Sequence, residues 1–159
     1  MTEITIRRAK AEDAERLNEA LAHLSGEIGD DHGGTAGLLR EAGFGDDPAF
    51  RALLAEAGEQ VVGTALYSPV FSTVRAGAGV YVSDLWVSSA ARGQGLGKRL
   101  LQAVAVDAEA VWNARFLKLV VYDDNEGARG FYDRLGFTAS VGETTLTLND
   151  KGLAALKDE

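Results

Sequence analysis

Apolar and polar positions alternate in EITIRR, residues 3–8, and this two-residue period predicts a half-buried strand. The period changes over residues 11–24, where Ala14, Leu17, Leu21 and Leu24 recur on one helical face, with Glu12 and Asp13 placed at the helix's positive end. Periodicity is then lost over SGEIGDDHGGTAG, residues 25–37, which reads as a loop or a broken helix. Residues 38–43 fit a short helix ending near Gly43. RALLAEA, residues 51–57, is ambiguous. Its Ala, Leu and Glu favour helix, yet GEQ and the strand-like VVGTALYSPV follow, so a hairpin around Gly58 also fits. Pro69 and Gly77 bound a predicted loop, and VYVSDLWVS, residues 80–88, is a strand by its β-branched and aromatic content. Leu100, Leu101, Val104, Ala108, Val111 and Trp112 keep helical spacing over residues 96–112. FLKLVVY, residues 116–122, predicts another strand, and a helix over 126–135 stops at Gly136. FTAS and ETTLTLN suit a terminal hairpin, and KGLAALKDE a last short helix.

The order β-α-α-β-β-β-α-β-α-β-β predicts one mixed α/β domain over residues 1–159, with no internal repeat or linker. Composition agrees, at 46% apolar and 25% charged residues. The chain has no cysteine, so disulfides and cysteine metal sites are excluded, and no metal is expected. The start, MTEITIRRAKAEDAERL, lacks the apolar core of a secretory signal, and no apolar run suits a bilayer. The expectation is a cytoplasmic protein with no membrane partner. A formal net charge of -8 argues against nucleic acid as a partner and allows attraction of cationic small molecules.

One stretch carries chemistry. ARGQGLGKRL, residues 91–100, places three glycines where a helix is about to begin, although glycine disfavours regular helix. The first N–H groups of a helix lack internal partners and carry partial positive charge. Glycines let such a backbone approach an anion closely, and Arg92 and Lys98 add charge, so the run is built for an anion of the pyrophosphate type. A P-loop fails, because Gly97-Lys98 is followed by Arg99. A dinucleotide fingerprint fails at its third glycine, where Lys98 stands.

The pattern Arg92-x-x-Gly95-x-Gly97 resembles the acetyl-CoA pyrophosphate loop of the GNAT N-acetyltransferases, and NEGARGFYDRLGF, residues 125–137, resembles that family's second signature. The resemblance covers nearly the whole chain. It implies the GNAT acyl-CoA acyltransferase fold: a mixed, mostly antiparallel twisted sheet of six to seven strands, splayed between strands 4 and 5 and flanked by about four helices. It also implies an acetyl-CoA-dependent enzyme, a homodimer, with acetyl-CoA as co-substrate. Amides from Gln94 through Lys98, with Gly93, Gly95, Leu96 and Gly97 shaping the turn, would hold the pyrophosphate, and Arg92 would frame the loop or touch a phosphate. The backbone at Leu85, Trp86 and Val87 would pair with the pantetheine arm. Asn125 would bond that arm or cap the following helix, and Arg129 would meet a phosphate or face solvent.

Tyr132 matches the family tyrosine that protonates the departing thiolate, and a phenol with an ordinary pKa near 10 carries its proton at neutral pH. No base is evident for the amine. Asp84, which alternation places on one face with Trp86, is either that base, directly or through water, or a structural acceptor. His23 reads as structural and His32 as an exposed loop residue. EAGFGDDPAFRALLAE and VYVSDLWVSSAARGQGLG resemble the spermidine/spermine and diamine acetyltransferase branch, although Ser83 stands where that branch has an acid. The implied acceptor is a small cationic amine: a polyamine, a diamine or a lysine-like molecule. Glu27, Asp30, Asp31, Asp46 and Asp47 are acids able to draw it in. Acetylation of a protein or peptide, and a non-catalytic module sensing acetyl-CoA, are the alternatives.

Overall fold

A computed structural model describes residues 3–158. The chain divides into two compact units, Met1–Val120 and Val121–Glu159. The first holds a five-stranded sheet in the order β1-β2-β3-β4-β5, made of Ile4–Arg8, Arg51–Ala57, Gln60–Ser72, Gly77–Val87 and Leu117–Leu119. Its helices are α1 (Ala14–Glu27), α2 (Ala36–Phe44) and α3 (Leu96–Trp112). β1 through β4 are antiparallel, and β5 joins β4 in parallel after the crossover through α3.

RALLAEA resolves as strand β2, and the helix-forming alternative is excluded there. Ala52, Leu53, Leu54 and Ala55 are buried in succession, so both faces are covered and tertiary packing overrides local preference. On one face, Leu17 and Leu21 of α1 pack with Phe50, Ala52, Leu54 and Leu66. On the other lie Leu96 and Leu100 of α3, close enough that a Cβ on Gly63 would stand 3.1 Å from Leu100. Gly58, at φ +63°, makes the expected β2–β3 turn.

Several expectations are corrected. The loop predicted between Pro69 and Gly77 shrinks to a tight turn, because β3 runs to Ser72 and β4 begins at Gly77. The strand expected at 116–122 is only Leu117–Leu119. FTAS and ETTLTLN form no hairpin. Residues 138–150 are all exposed, and alternating residues without a face to bury gain nothing from pairing. The described residues therefore hold five strands, not six to seven, and five α-helices, not about four. The second unit contains two of those helices, α4 (Glu126–Arg134) and α5 (Asp150–Lys157).

Two details of β4 shape the site. β5 pairs only with Val80–Val82, so Ser83 through Val87 have β3 on one edge and no strand on the other among the described residues. The register also slips. Asp84 faces Leu66 while Val82 faces Tyr67, leaving Ser83 as an extra, bulged residue. Such a bulge re-aims the side chains beyond it, and here it turns Asp84 and Trp86 toward α1.

Candidate active site

After Val87 the chain makes a single 3₁₀ turn, Ser89–Ala91, and then the glycine run. Gly93 and Gly95 take φ of +79° and +76°, a left-handed backbone that other residues resist. α3 begins at Leu96 with Gly95 as its cap and no side chain capping it. The first intrahelical bond runs from the Arg99 N–H to the Gly95 carbonyl at 3.1 Å, so the amides before Arg99 have no helical partner. Residues 92–95 and Lys98 are exposed, and the space beyond Gly93 and Gly95 is open. The turn thus presents free N–H groups, the positive end of a 17-residue helix and an exposed lysine at one accessible point. A diphosphate suits that donor set. Gln94 directs its side chain back to the Ala90 carbonyl at 3.4 Å.

Arg92 frames this turn. Its Nε donates to the Val87 carbonyl at 3.1 Å, and its guanidinium pairs with Glu27 at the end of α1. The other oxygen of Glu27 accepts the Trp86 indole N–H at 2.6 Å. His23 stacks on Trp86, with centroids 5.4 Å apart and planes 11° from parallel. His23, Glu27 and Trp86 line a cavity of about 520 Å³ between α1, the β2–β3 turn and the end of β4. Of Leu85, Trp86 and Val87, only Trp86 is fully buried, and their backbones pair with Ala65, Thr64 and Gly63 of β3.

Asp84 accepts a 2.8 Å hydrogen bond from the hydroxyl of Ser83. Burial pushes its carboxyl above the usual carboxylate range, while the Ser83 bond and the nearby His32 pull part of the way back. His32 is exposed in the loop after α1, as the sequence implies, and it is held there by hydrogen bonds. Its ring bonds Asn18 at 2.8 Å and Ser25 at 3.0 Å, both on α1. Their seven-residue spacing, two turns of one helix face, was the available signal. Glu27, which the sequence offers only as one of several acids, is the other residue whose contacts that reading missed.

In the second unit, Asn125 caps α4, its side chain accepting from the Ala128 N–H at 3.2 Å, so the capping role is realised. Tyr132 lies on α4 with Phe131 at 5.2 Å and Phe137 at 5.4 Å between ring centroids. Burial raises its phenol pKa, which keeps the proton on oxygen at neutral pH. Arg129 stands 3.9 Å from exposed Asp123, a solvated pair of little energetic consequence. Among the described residues no group of acids and histidines is placed to hold a metal ion, and no helix is long and apolar enough to cross a membrane.

A strand that leads through a left-handed glycine turn into a helix with no side-chain cap gives this α/β domain a turn suited to a phosphorylated small molecule. Known proteins place it further. Residues 12–137 match the Acetyltransferase (GNAT) family, and the chain belongs to that family. It is an N-acetyltransferase by that membership. Thialysine N-epsilon-acetyltransferase of Sus scrofa is 32% identical over 146 residues, 86% of this chain and 85% of the relative. The Mus musculus enzyme of that name is 38% identical over 106 residues, 62% of this chain and 61% of the relative. Among solved structures, an integron cassette protein from the mobile metagenome of V. cholerae aligns over 100% of both chains, with a TM-score of 0.82 and 23% identity.

Proposed function

We propose that the protein transfers an acetyl group from acetyl-CoA to the primary amine of a small cationic molecule: a polyamine, a diamine or a lysine-like acceptor. The observation that carries this reading is the uncapped start of α3 behind Gly93 and Gly95, set directly after the stretch of β4 whose outer edge has no paired strand among the described residues. Amides of Gln94 through Lys98 take the diphosphate, and the edge at Leu85, Trp86 and Val87, which β5 does not reach, accepts the pantetheine arm as a further strand would. The thialysine-acetylating relatives support the acceptor class.

The chemistry balances. The ammonium gives up one proton to Asp84, directly or through water, its freed lone pair attacks the thioester carbonyl, and the nitrogen loses its second proton to solvent, to which Asp84 also returns its own. A C–N bond forms and the C–S bond breaks. The departing thiolate takes the phenol proton of Tyr132, and the tyrosinate regains one from solvent. The raised pKa of Asp84 suits a group that must collect a proton. The whole chain acts as one catalytic domain, set in the cytoplasm as a homodimer on the strength of sequence and resemblance.

A thiol-release assay with acetyl-CoA and a panel of thialysine, spermidine, putrescine and an aminoglycoside tests the proposal. Turnover with at least one cationic amine is expected. CoA binding without turnover across the panel contradicts it, and points to a sensing module instead.

A further inference from the structure

The Glu27–Arg92 pair has a chemistry the proposed reaction does not use. Arg92 belongs to the turn that takes the diphosphate, yet its guanidinium is already paired with a carboxylate. The two halves of the pair are held differently. Glu27 is anchored by the Trp86 indole at 2.6 Å, and Trp86 is itself buried and stacked on His23. Arg92 is held at its root by the Val87 carbonyl. The contact between them lies near the surface, with side chains 53% and 38% exposed, where an ion pair contributes about 0–1 kcal/mol. An incoming diphosphate offers more charge and more acceptor oxygens than one carboxylate.

We infer that Glu27 is a positioning residue that stands in for the diphosphate, holding the Arg92 side chain extended beside the turn and releasing it when coenzyme A arrives. The inference rests on the proposed use of this turn for coenzyme A. The exchange is cheap because the pair is exposed, and Arg92 is spared the entropy of searching for its anion, because the Val87 bond keeps the root of its side chain in place. The cavity bordered by Glu27, Trp86 and Ser88 gives the carboxylate access to water once Arg92 leaves it. Glu27 therefore competes with the cofactor, and its removal should tighten binding, the opposite of what loss of a scaffold residue does.

Calorimetric titration of coenzyme A into four proteins tests this: wild type, Glu27→Gln, Arg92→Ala and the double variant. Gln keeps an oxygen for the Trp86 indole but loses the charge. Glu27→Gln should tighten coenzyme A about two- to fivefold, the span that releasing an exposed ion pair allows. In the Arg92→Ala background the same change should do nothing. Glu27→Asp keeps the charge but withdraws it from Arg92, and should tighten binding in the same sense, which also covers a Gln variant that fails to fold. Weaker or unchanged binding in Glu27→Gln overturns the inference. So does equal tightening with and without Arg92, which would mark a general effect of charge. A wild-type protein that binds no coenzyme A contradicts the acetyltransferase reading itself, a different pattern from either.

Discussion

At the scale of single residues, candidates were legible where a residue type sat in a recognisable spacing, and their contacts were hidden where these depended on the fold. Tyr132 and Asn125 stand in NEGARGFYDRLGF, and Gly93 and Gly95 in ARGQGLGKRL. By contrast, Glu27 and Arg92 lie 65 positions apart, and no local pattern announces their pairing. Asp84 shows both sides. Its place on β4 was readable, but its hydrogen bond from Ser83 arises from a bulge that alternation alone does not predict. A base with a pKa above the carboxylate range loses its function as pH falls through that raised value. Asp84→Asn should lower kcat by about a hundredfold and remove the acidic limb of the pH–rate profile. A variant with unchanged kcat and an unchanged limb would make Asp84 a structural acceptor.

At the scale of elements, the strongest sequence patterns survived and the weakest moved. α3 keeps its apolar stripe, with Leu96, Leu100, Leu101, Val104 and Ala108 all buried. β2 was ambiguous because Ala, Leu and Glu favour helix, and burial on both faces decided it. The turn into α3 separates geometry from charge. A Cβ at Gly95 would touch nothing within 4 Å, so Gly95→Ala bears only the strain of φ +76°, about 1–2 kcal/mol. Gly95→Asp adds a carboxylate where the diphosphate would lie. Calorimetry should find coenzyme A binding weakened in the alanine variant and abolished in the aspartate variant. Equal, wild-type affinity in both would remove the turn from the binding site.

At the scale of the molecule, an ion network ties β1, β2 and α1 together. Arg7 donates to Asp13 at 2.8 and 2.9 Å and to Glu56 at 2.6 Å, and Arg16 pairs with Glu56 at 2.8 Å. Chiefly through the Arg7 hydrogen bonds, Asp13 is pulled down from 3.8 to about 2. Because the folded pKa is depressed, this stabilisation is present above the unfolded value and is lost as pH falls toward 2. The linkage amounts to about 2 kcal/mol, since Asp13 is buried. Urea unfolding should show wild type losing that amount between pH 4 and 2, while Asp13→Asn is weaker at pH 7 and flat across the same interval. Parallel profiles would show that Asp13 does not govern acid sensitivity. Sequence gave less purchase at this scale. The division at Val120 falls inside the predicted strand 116–122, and the expected terminal hairpin has no buried face to form on.

The central claim, that an acetyl group passes from coenzyme A to an amine with Tyr132 protonating the sulfur, is tested most directly by replacing that phenol. Thiol release and coenzyme A titration should be measured together on wild type and Tyr132→Phe. The account predicts kcat reduced at least tenfold, with coenzyme A affinity within about twofold of wild type. Unchanged turnover in the variant would contradict it.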